Sequence, residues 1–121
     1  MSSYKNLEGW KKSMHLVKDV YLIVKKFPKE ELYALTSQIK RAAVSIPANI
    51  AEGIGRNYKK DTIQFLHISR GSLYELETLM IIAEMTGFIN SEDLNIISNN
   101  LDECGRILNG LISYYEKSDL K

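Results

Sequence analysis

Between Leu94 and Tyr115, apolar residues recur at strict three- and four-residue steps: Leu94, Ile97, Leu101, Cys104, Leu108, Leu111 and Tyr115. That spacing keeps one stripe of side chains on one face of an α-helix and scatters them over both faces of a strand. A second stripe with the same rhythm opens the chain, through Leu7, Trp10, Met14, Val17, Tyr21 and Val24. Two such seams exclude a sheet and make an all-α helical bundle the expected fold.

The rest of the chain fits two more helices. In the first, Phe27-Pro28 supplies the stop, because the residue before a proline is pushed out of the α region. A further stripe, Leu16, Val20, Ile23 and Phe27, makes this helix apolar on more than one side, an excess that suits a partner subunit as well as the home core. The second helix is expected from about Glu31 to Glu52, with Leu32, Leu35, Ile39, Ala42, Ile46 and Ile50 inward and Gly53 and Gly55 as stop and turn. Pro47 lies inside it, where it removes one hydrogen bond and either kinks the helix or divides it in two. The third is expected from about Lys59 to Thr86, with Ile63, Leu66, Leu73, Leu76, Met80 and Ala83 inward and Gly87 as its stop. Gly71, flanked by Ser69 and Ser72, marks a place for another backbone to approach, with Ala42-Ala43 opposite. Ser91 is the expected cap of the fourth helix, with Glu92 and Asp93 in the first turn, where the helix dipole favours acids. Short connections order the four as an antiparallel up-down-up-down bundle, one domain over residues 1–121.

Within the second helix, Arg41, Ser45, Asn49 and Glu52 form a polar line flanked by Ile39, Ala42, Ala43, Ile46 and Ile50. Packed antiparallel, the third helix sets Ser72, Glu75 and Glu77 opposite, with Gln38 or Arg41 within reach of Glu75. A buried charge must be paired, since its desolvation costs several kcal/mol. The line therefore reads as a polar network of Gln38, Arg41, Ser45, Asn49, Glu52 and Glu75 that fixes register or subunit contacts, or as a ligand pocket.

Charge is unevenly distributed. Residues 1–60 hold 12 Lys and Arg against 5 Asp and Glu, a balance of +7, and residues 61–121 hold 4 against 10, a balance of −6. Such segregation makes a basic face for a polyanion, or two antiparallel neighbours whose charges pair or solvate. Arg56, Lys59 and Lys60, with Tyr58, cluster at the second turn; Lys11, Lys12 and Lys18, with Lys25, Lys26 and Lys29, stud the first helix. These are the candidate nucleic-acid contacts, of the kind that touch phosphates without reading sequence. A solubilising face has the same composition.

Catalysis finds little support. The two histidines, His15 and His67, lack the Glu-x-x-His spacing of di-iron bundles, and a single cysteine makes neither a disulfide nor a Cys-rich zinc site. No cofactor is expected. The glycines at 53 and 55 are not followed by Gly-Lys-Ser/Thr, so they are no phosphate loop. The longest apolar runs, Val20 to Val24 and Leu79 to Ala83, fall far short of a membrane span, and the N-terminal ten residues show no signal-like apolar core. Cytoplasmic residence is the expectation, in keeping with the lone cysteine.

Three strings carry a family resemblance: Trp10 with Phe27-Pro28 and Glu30/Glu31, Q-I-K-R-A-A-V-S-I-P-A-N-I-A-E-G-I-G-R from Gln38 to Arg56, and F-L-H-I-S-R-G-S-L-Y-E-L-E-T from Phe65 to Thr78. Over nearly its whole length the chain resembles the 23S rRNA-intervening-sequence proteins. It departs from them at Ser69-Arg70-Gly71, where Ala-x-Gly is frequent. The resemblance implies an antiparallel four-helix bundle with one proline-kinked second helix, and a homopentameric assembly without catalytic residues. A similar bundle is the accessory protein of diversity-generating retroelements, which implies a scaffold for a reverse transcriptase and for RNA or single-stranded DNA. The competing expectation is a protein–protein adaptor without nucleic-acid contact.

Overall fold

The computed structural model describes residues 3–121; Met1 and Ser2, part of the N-terminal stretch inspected for a signal, lie outside it. Its α-helices are α1 (Glu8–Val24), α2 (Leu35–Ile54), α3 (Lys59–Met85) and α4 (Ser91–Lys117), with 3₁₀ turns at Tyr4–Asn6 and Lys29–Glu31 and no strand among the described residues. α1 packs on α2 and α4, and α3 packs on α2 and α4, while no Cα atoms of the diagonal pairs come within 8 Å. The result is the expected up-down-up-down bundle.

α1 turns its second stripe to the axis. Leu16, Val20, Ile23 and Phe27 are buried, with Gly9 and Ser13 continuing the same face. The heptad stripe Leu7 to Val24 lies to one side, so that Met14 and Tyr21 are 43% and 39% exposed. The small residues decide between the two apolar faces. Gly9 has no side chain, and a Cβ there would stand 3.3 Å from Ile107 Cγ2, so α4 closes in on that side. Ser13 donates its hydroxyl proton to the Trp10 carbonyl at 2.9 Å and needs no other partner.

α2 starts four residues later than the apolar pattern suggests. Pro28 leads into the 3₁₀ turn, and Ala34 leaves the helical path at φ −121° and ψ −107°, so Leu32 falls in the linker and is half exposed. Pro47 is buried within one uninterrupted helix, which resolves the choice between one helix and two. Side chains serve the carbonyls of the preceding turn: Asn49 Nδ2 donates to Ser45 O, and Ser69 Oγ donates to Ile46 O, both at 2.8 Å.

The α2–α3 seam is the most intimate in the bundle. Thr62 Oγ1 donates to Gly53 O at 2.7 Å and Ser72 Oγ to Ser45 Oγ at 2.8 Å, in line with the Ser69 bond. Gly53 is where the backbones meet, since a Cβ there would lie 2.9 Å from Phe65 Cβ and 3.1 Å from Thr62 O. Gly71 does not play the part its serine neighbours suggest. Ser69 and Ser72 face α2, but Gly71 points away from both, exposed, with nothing within 4 Å of a built Cβ.

α3 ends at Gly87, whose φ of +82° favours glycine. Phe88 N–H reaches the Ala83 carbonyl at 2.9 Å and Gly87 N–H that of Glu84 at 3.0 Å, and the Phe88 ring then packs on Phe27 at 5.6 Å. The cap of α4 is Asn90 rather than Ser91: Asn90 Oδ1 accepts from Asp93 N–H at 2.8 Å, while Ser91 Oγ donates to Glu84 Oε2. Asparagine one residue earlier is as good a cap and leaves the same acids in the first turn.

Two glycine substitutions should therefore have opposite signs. Gly53→Ala overpacks the seam and should cost about 1–3 kcal/mol in urea unfolding. Gly71→Ala, on an open helix surface, should stabilise by about 0.5–1 kcal/mol. Leu66→Ala, at a fully buried position, should cost about 2–5 kcal/mol.

Candidate polar groove and basic surface

The polar line of α2 opens onto a groove of about 410 Å³ between α2 and α3, lined by Gln38, Arg41, Ala42, Ser45, Ser72 and Glu75. The small side chains that draw the helices together lower down leave this space above them. Ser45 Oγ accepts from both Ser72 Oγ and Asn49 Nδ2, each at 2.8 Å, so one hydroxyl joins the two helices. Four of the six residues expected to form a network thus meet in one groove, and Asn49 is tied to it one turn below. Glu52 is set apart, bonded to Arg56 at 3.2 Å.

The charged members are not buried. Arg41, Glu52 and Glu75 are exposed, and Arg41 and Glu75 form no ion pair among the described residues. The hydroxyls and Asn49 hold the half-buried layer, and the charges stand at its exposed rim. No buried side-chain nitrogen or oxygen among the described residues lacks a partner. The groove offers one cation, one anion, two hydroxyls and an amide, which can bind but include no nucleophile paired with a base.

The six candidate phosphate contacts divide into engaged and free. Lys12 Nζ pairs with Glu103 at 2.9 Å, and this bond and charge raise the lysine pKa and lower that of the carboxyl. Lys59 Nζ donates to the Ser118 carbonyl at 3.2 Å, and Arg56 lies over the Phe65 ring at 4.6 Å while bonded to Glu52. Lys11, Lys18 and Lys60 are exposed and without an ion pair among the described residues. All but Lys18 gather at the end of the bundle where α1 and α3 begin. The two charge-segregated halves do pair across α1 and α4, through Lys12–Glu103 and Lys26–Asp93 at 3.0 Å.

A second groove escaped the sequence reading. Tyr21, Leu32, Tyr33, Ser37, Lys40, Arg41 and Val44 enclose about 500 Å³ on the outer face of α1 and α2. A smaller cleft of about 200 Å³ adjoins it at Leu32 and Lys40 and adds Val24, Lys25, Phe27, Pro28 and Lys29. Lys40 Nζ stands 4.9 Å from the Tyr21 ring centroid. The signal available was the run from Leu32 to Ala51, which holds two cations, one tyrosine and no acid.

His15 borders a small cavity of about 130 Å³ with Lys12, Asp19, Asn100, Glu103 and Cys104, and His67 Nδ1 is 2.9 Å from Arg70 Nη2. No group of metal-ligating side chains occurs among the described residues. Burial pushes the Cys104 thiol up to about 11 and raises the Tyr115 hydroxyl as well. In both, the folded state favours the neutral form, so its contribution to stability is complete below the unfolded pKa and is lost as pH rises through the folded one. Thermal unfolding should therefore shift to lower temperature from about pH 9 toward 11, and Cys104→Ala should flatten part of that decline. The native thiol should react sluggishly with a disulfide reagent at neutral pH.

No described helix is long and apolar enough to cross a membrane. A comparison with curated proteins returns no match. Among solved structures, a crystal structure of a protein of unknown function from the S23 ribosomal protein family of Bacteroides thetaiotaomicron is similar, with a TM-score of 0.80 and 25% identity over 86% of this chain and 97% of that one. The family model for the 23S rRNA-intervening sequence protein matches residues 5–110, nearly the whole bundle. With the fold and this match in agreement, the chain belongs to the 23S rRNA-intervening sequence protein family.

Proposed function

We propose that this protein is a non-enzymatic, self-associating scaffold of the cytoplasm that holds RNA, or a protein working on RNA, against its basic surface. The observation that carries the reading is the division of the outer surface by helix. α3 is apolar outside as well as inside: Ile68, Tyr74, Ile81, Ile82 and Met85 are exposed along it, with Gly71 and Thr78 between them. The stripe from residue 68 to 85 spans about 25 Å of helix and holds a single charge, Glu75, on the line between Ile68 and Ile82. α1, across the bundle, exposes Lys11 and Lys18, with Lys25 at its C-cap, beside Met14, Tyr21 and Leu22. Tyr33 and Tyr114 are exposed as candidate anchors for a partner subunit, and Tyr115 is half-buried against the core. Five copies is the number the family resemblance supplies, and a reverse transcriptase is the partner that the retroelement likeness supplies. The family's name, that of a protein from intervening sequences of 23S rRNA, supports RNA as the polyanion.

The alternative is a protein adaptor without nucleic-acid contact. Its support is that Lys12, Arg56 and Lys59, half of the expected phosphate contacts, are engaged within the chain.

Two measurements test the proposal. Sedimentation equilibrium at micromolar concentration should return an oligomer, and Ile81→Glu with Met85→Glu should shift it to monomer without loss of helical circular dichroism. A titration with labelled RNA at low ionic strength should show binding that falls steeply with salt, the log–log slope counting the phosphates neutralised. A monomer at all concentrations removes the scaffold, and salt-indifferent or absent RNA binding leaves the adaptor.

A further inference from the structure

We propose that the outer α1–α2 face is a track for single-stranded polynucleotide, with bases stacked at Tyr33 and Tyr21 and phosphates over Lys25, Lys29, Lys40 and Arg41. The inference rests on the nucleic-acid reading above and moves its site from the end of the bundle to its side.

Charge is the first argument. Lys25, Lys29, Lys40 and Arg41 rim the two adjoining clefts, and no acid lines either cleft. None of the four forms an ion pair among the described residues, in contrast to Lys12, Lys26 and Arg56. The one acid of α1 beyond its first turn, Asp19, faces α4, where it accepts from Asn100 Nδ2 at 2.8 Å. Lys18 and Lys11 continue from Lys25 at seven-residue intervals, so exposed cations stand about 10 Å apart along one edge of the face. Glu30 and Glu31 follow Lys29 in its turn but line neither cleft; the cations along the clefts repel one another, and a polyanion removes that repulsion.

The floor between them is the second argument. Val24, Phe27, Leu32 and Val44 make it apolar, and two tyrosines stand on it. Tyr33 is 92% exposed, in the turn before α2, and nothing in the fold requires an aromatic ring there. A ring in water beside cations is what an unstacked base uses: stacking on the aromatic, with the backbone held electrostatically. A duplex keeps its bases stacked on one another and has no use for the ring. An acidic face of a second copy is the competing occupant. It would match the groove, but it would leave the line of Lys18 and Lys11 beyond the groove without a counterpart. α1 and α3 lie diagonally in the bundle, so the proposed track and the apolar stripe of α3 point away from each other and can be occupied together.

The test uses the full chain and three probes: a labelled oligouridylate, a labelled oligothymidylate and a duplex of the same length. Fluorescence anisotropy at low ionic strength should show both single strands bound more tightly than the duplex. Lys25→Glu with Lys40→Glu should weaken binding more than tenfold, and Tyr33→Ala about tenfold, with Tyr33→Phe close to the parent. Lys59→Glu with Lys60→Glu, at the end of the bundle, should leave it within about twofold. Circular dichroism and sedimentation accompany each variant, and all four groove substitutions alter partly or fully exposed side chains. If the end variant loses binding while the groove variants keep it, the track is wrong and the nucleic-acid reading survives. If the parent binds no probe, both fall. If Tyr33→Ala or the lysine reversal dissociates the oligomer and leaves RNA affinity unchanged, the groove belongs to a second copy.

Discussion

The close approach of α2 and α3 is the constraint on which the rest of the molecule depends. Two backbones can meet only where side chains are absent or small, and Ala42, Ala43, Ser45 and Gly53 on one side face Ser69 and Ser72 on the other. Hydroxyl groups at such a contact need acceptors, and the carbonyls of Ile46 and Gly53 provide them. Each bond fixes one height along the seam, so three bonds set the register of the helix pair with no charge involved. α1 and α4 then pack against an already positioned hairpin. Pro47 is buried in this helix, next to the carbonyls of Ser45 and Ile46 that accept from Asn49 and Ser69.

Helix number, order and approximate limits were legible because heptad spacing and glycine or proline stops are local signals. Toward its end α4 buries Ile112 and leaves Leu111 and Tyr115 half-buried, but through Ile97, Leu101, Cys104 and Leu108 it followed its seam. α1 did not, since periodicity reports that two faces are apolar and is silent on which one meets the axis. Gly9 and Ser13 carried that information, and small residues draw less notice than large ones. The same bias favoured Gly71, which sits in mid-helix, over Gly53, which looks like a turn residue and is a contact. Leu32 was misplaced because Ala34 breaks the helix in a way no breaker residue announces.

At the candidate site, the polar line was legible and its burial was not. Gln38, Arg41, Ser45 and Glu75 were placed together by helical spacing alone, but whether their charges are covered depends on how far apart two helices stand. That distance is a sum over the whole seam. The fate of the basic residues was still less accessible. Lys12 finds Glu103, and Lys59 finds the carbonyl of Ser118, across almost the entire topology. Local sequence shows a cation and says nothing of its partner. What sequence could have shown is the converse, a stretch so poor in acids that its cations have no near partner, as between Leu32 and Ala51.

The balance of +7 in one half and −6 in the other acquires a geometric meaning in the bundle. α1 and α2 are neighbours and so are α3 and α4, so the halves become two sides of one molecule. Opposite charges meet at the α1–α4 seam, where Lys12–Glu103 and Lys26–Asp93 use them up in exposed pairs that are worth little individually. The α2–α3 seam carries no net charge, Arg41 and Glu75 both lining its groove, and leaves Lys40 on the outer face. The net positive charge therefore lies on the α1–α2 side, with Lys60 at the start of α3 and Arg106 on α4 among the exposed cations elsewhere. A chain that joins copies through α3 would repeat that basic side once per subunit. Repetition matters more than the strength of any one contact, because a flexible strand already held at one subunit meets the next at high effective concentration. Weak, unspecific phosphate contacts on each copy are then enough for a firm hold on a long strand, without a deep pocket in any single bundle.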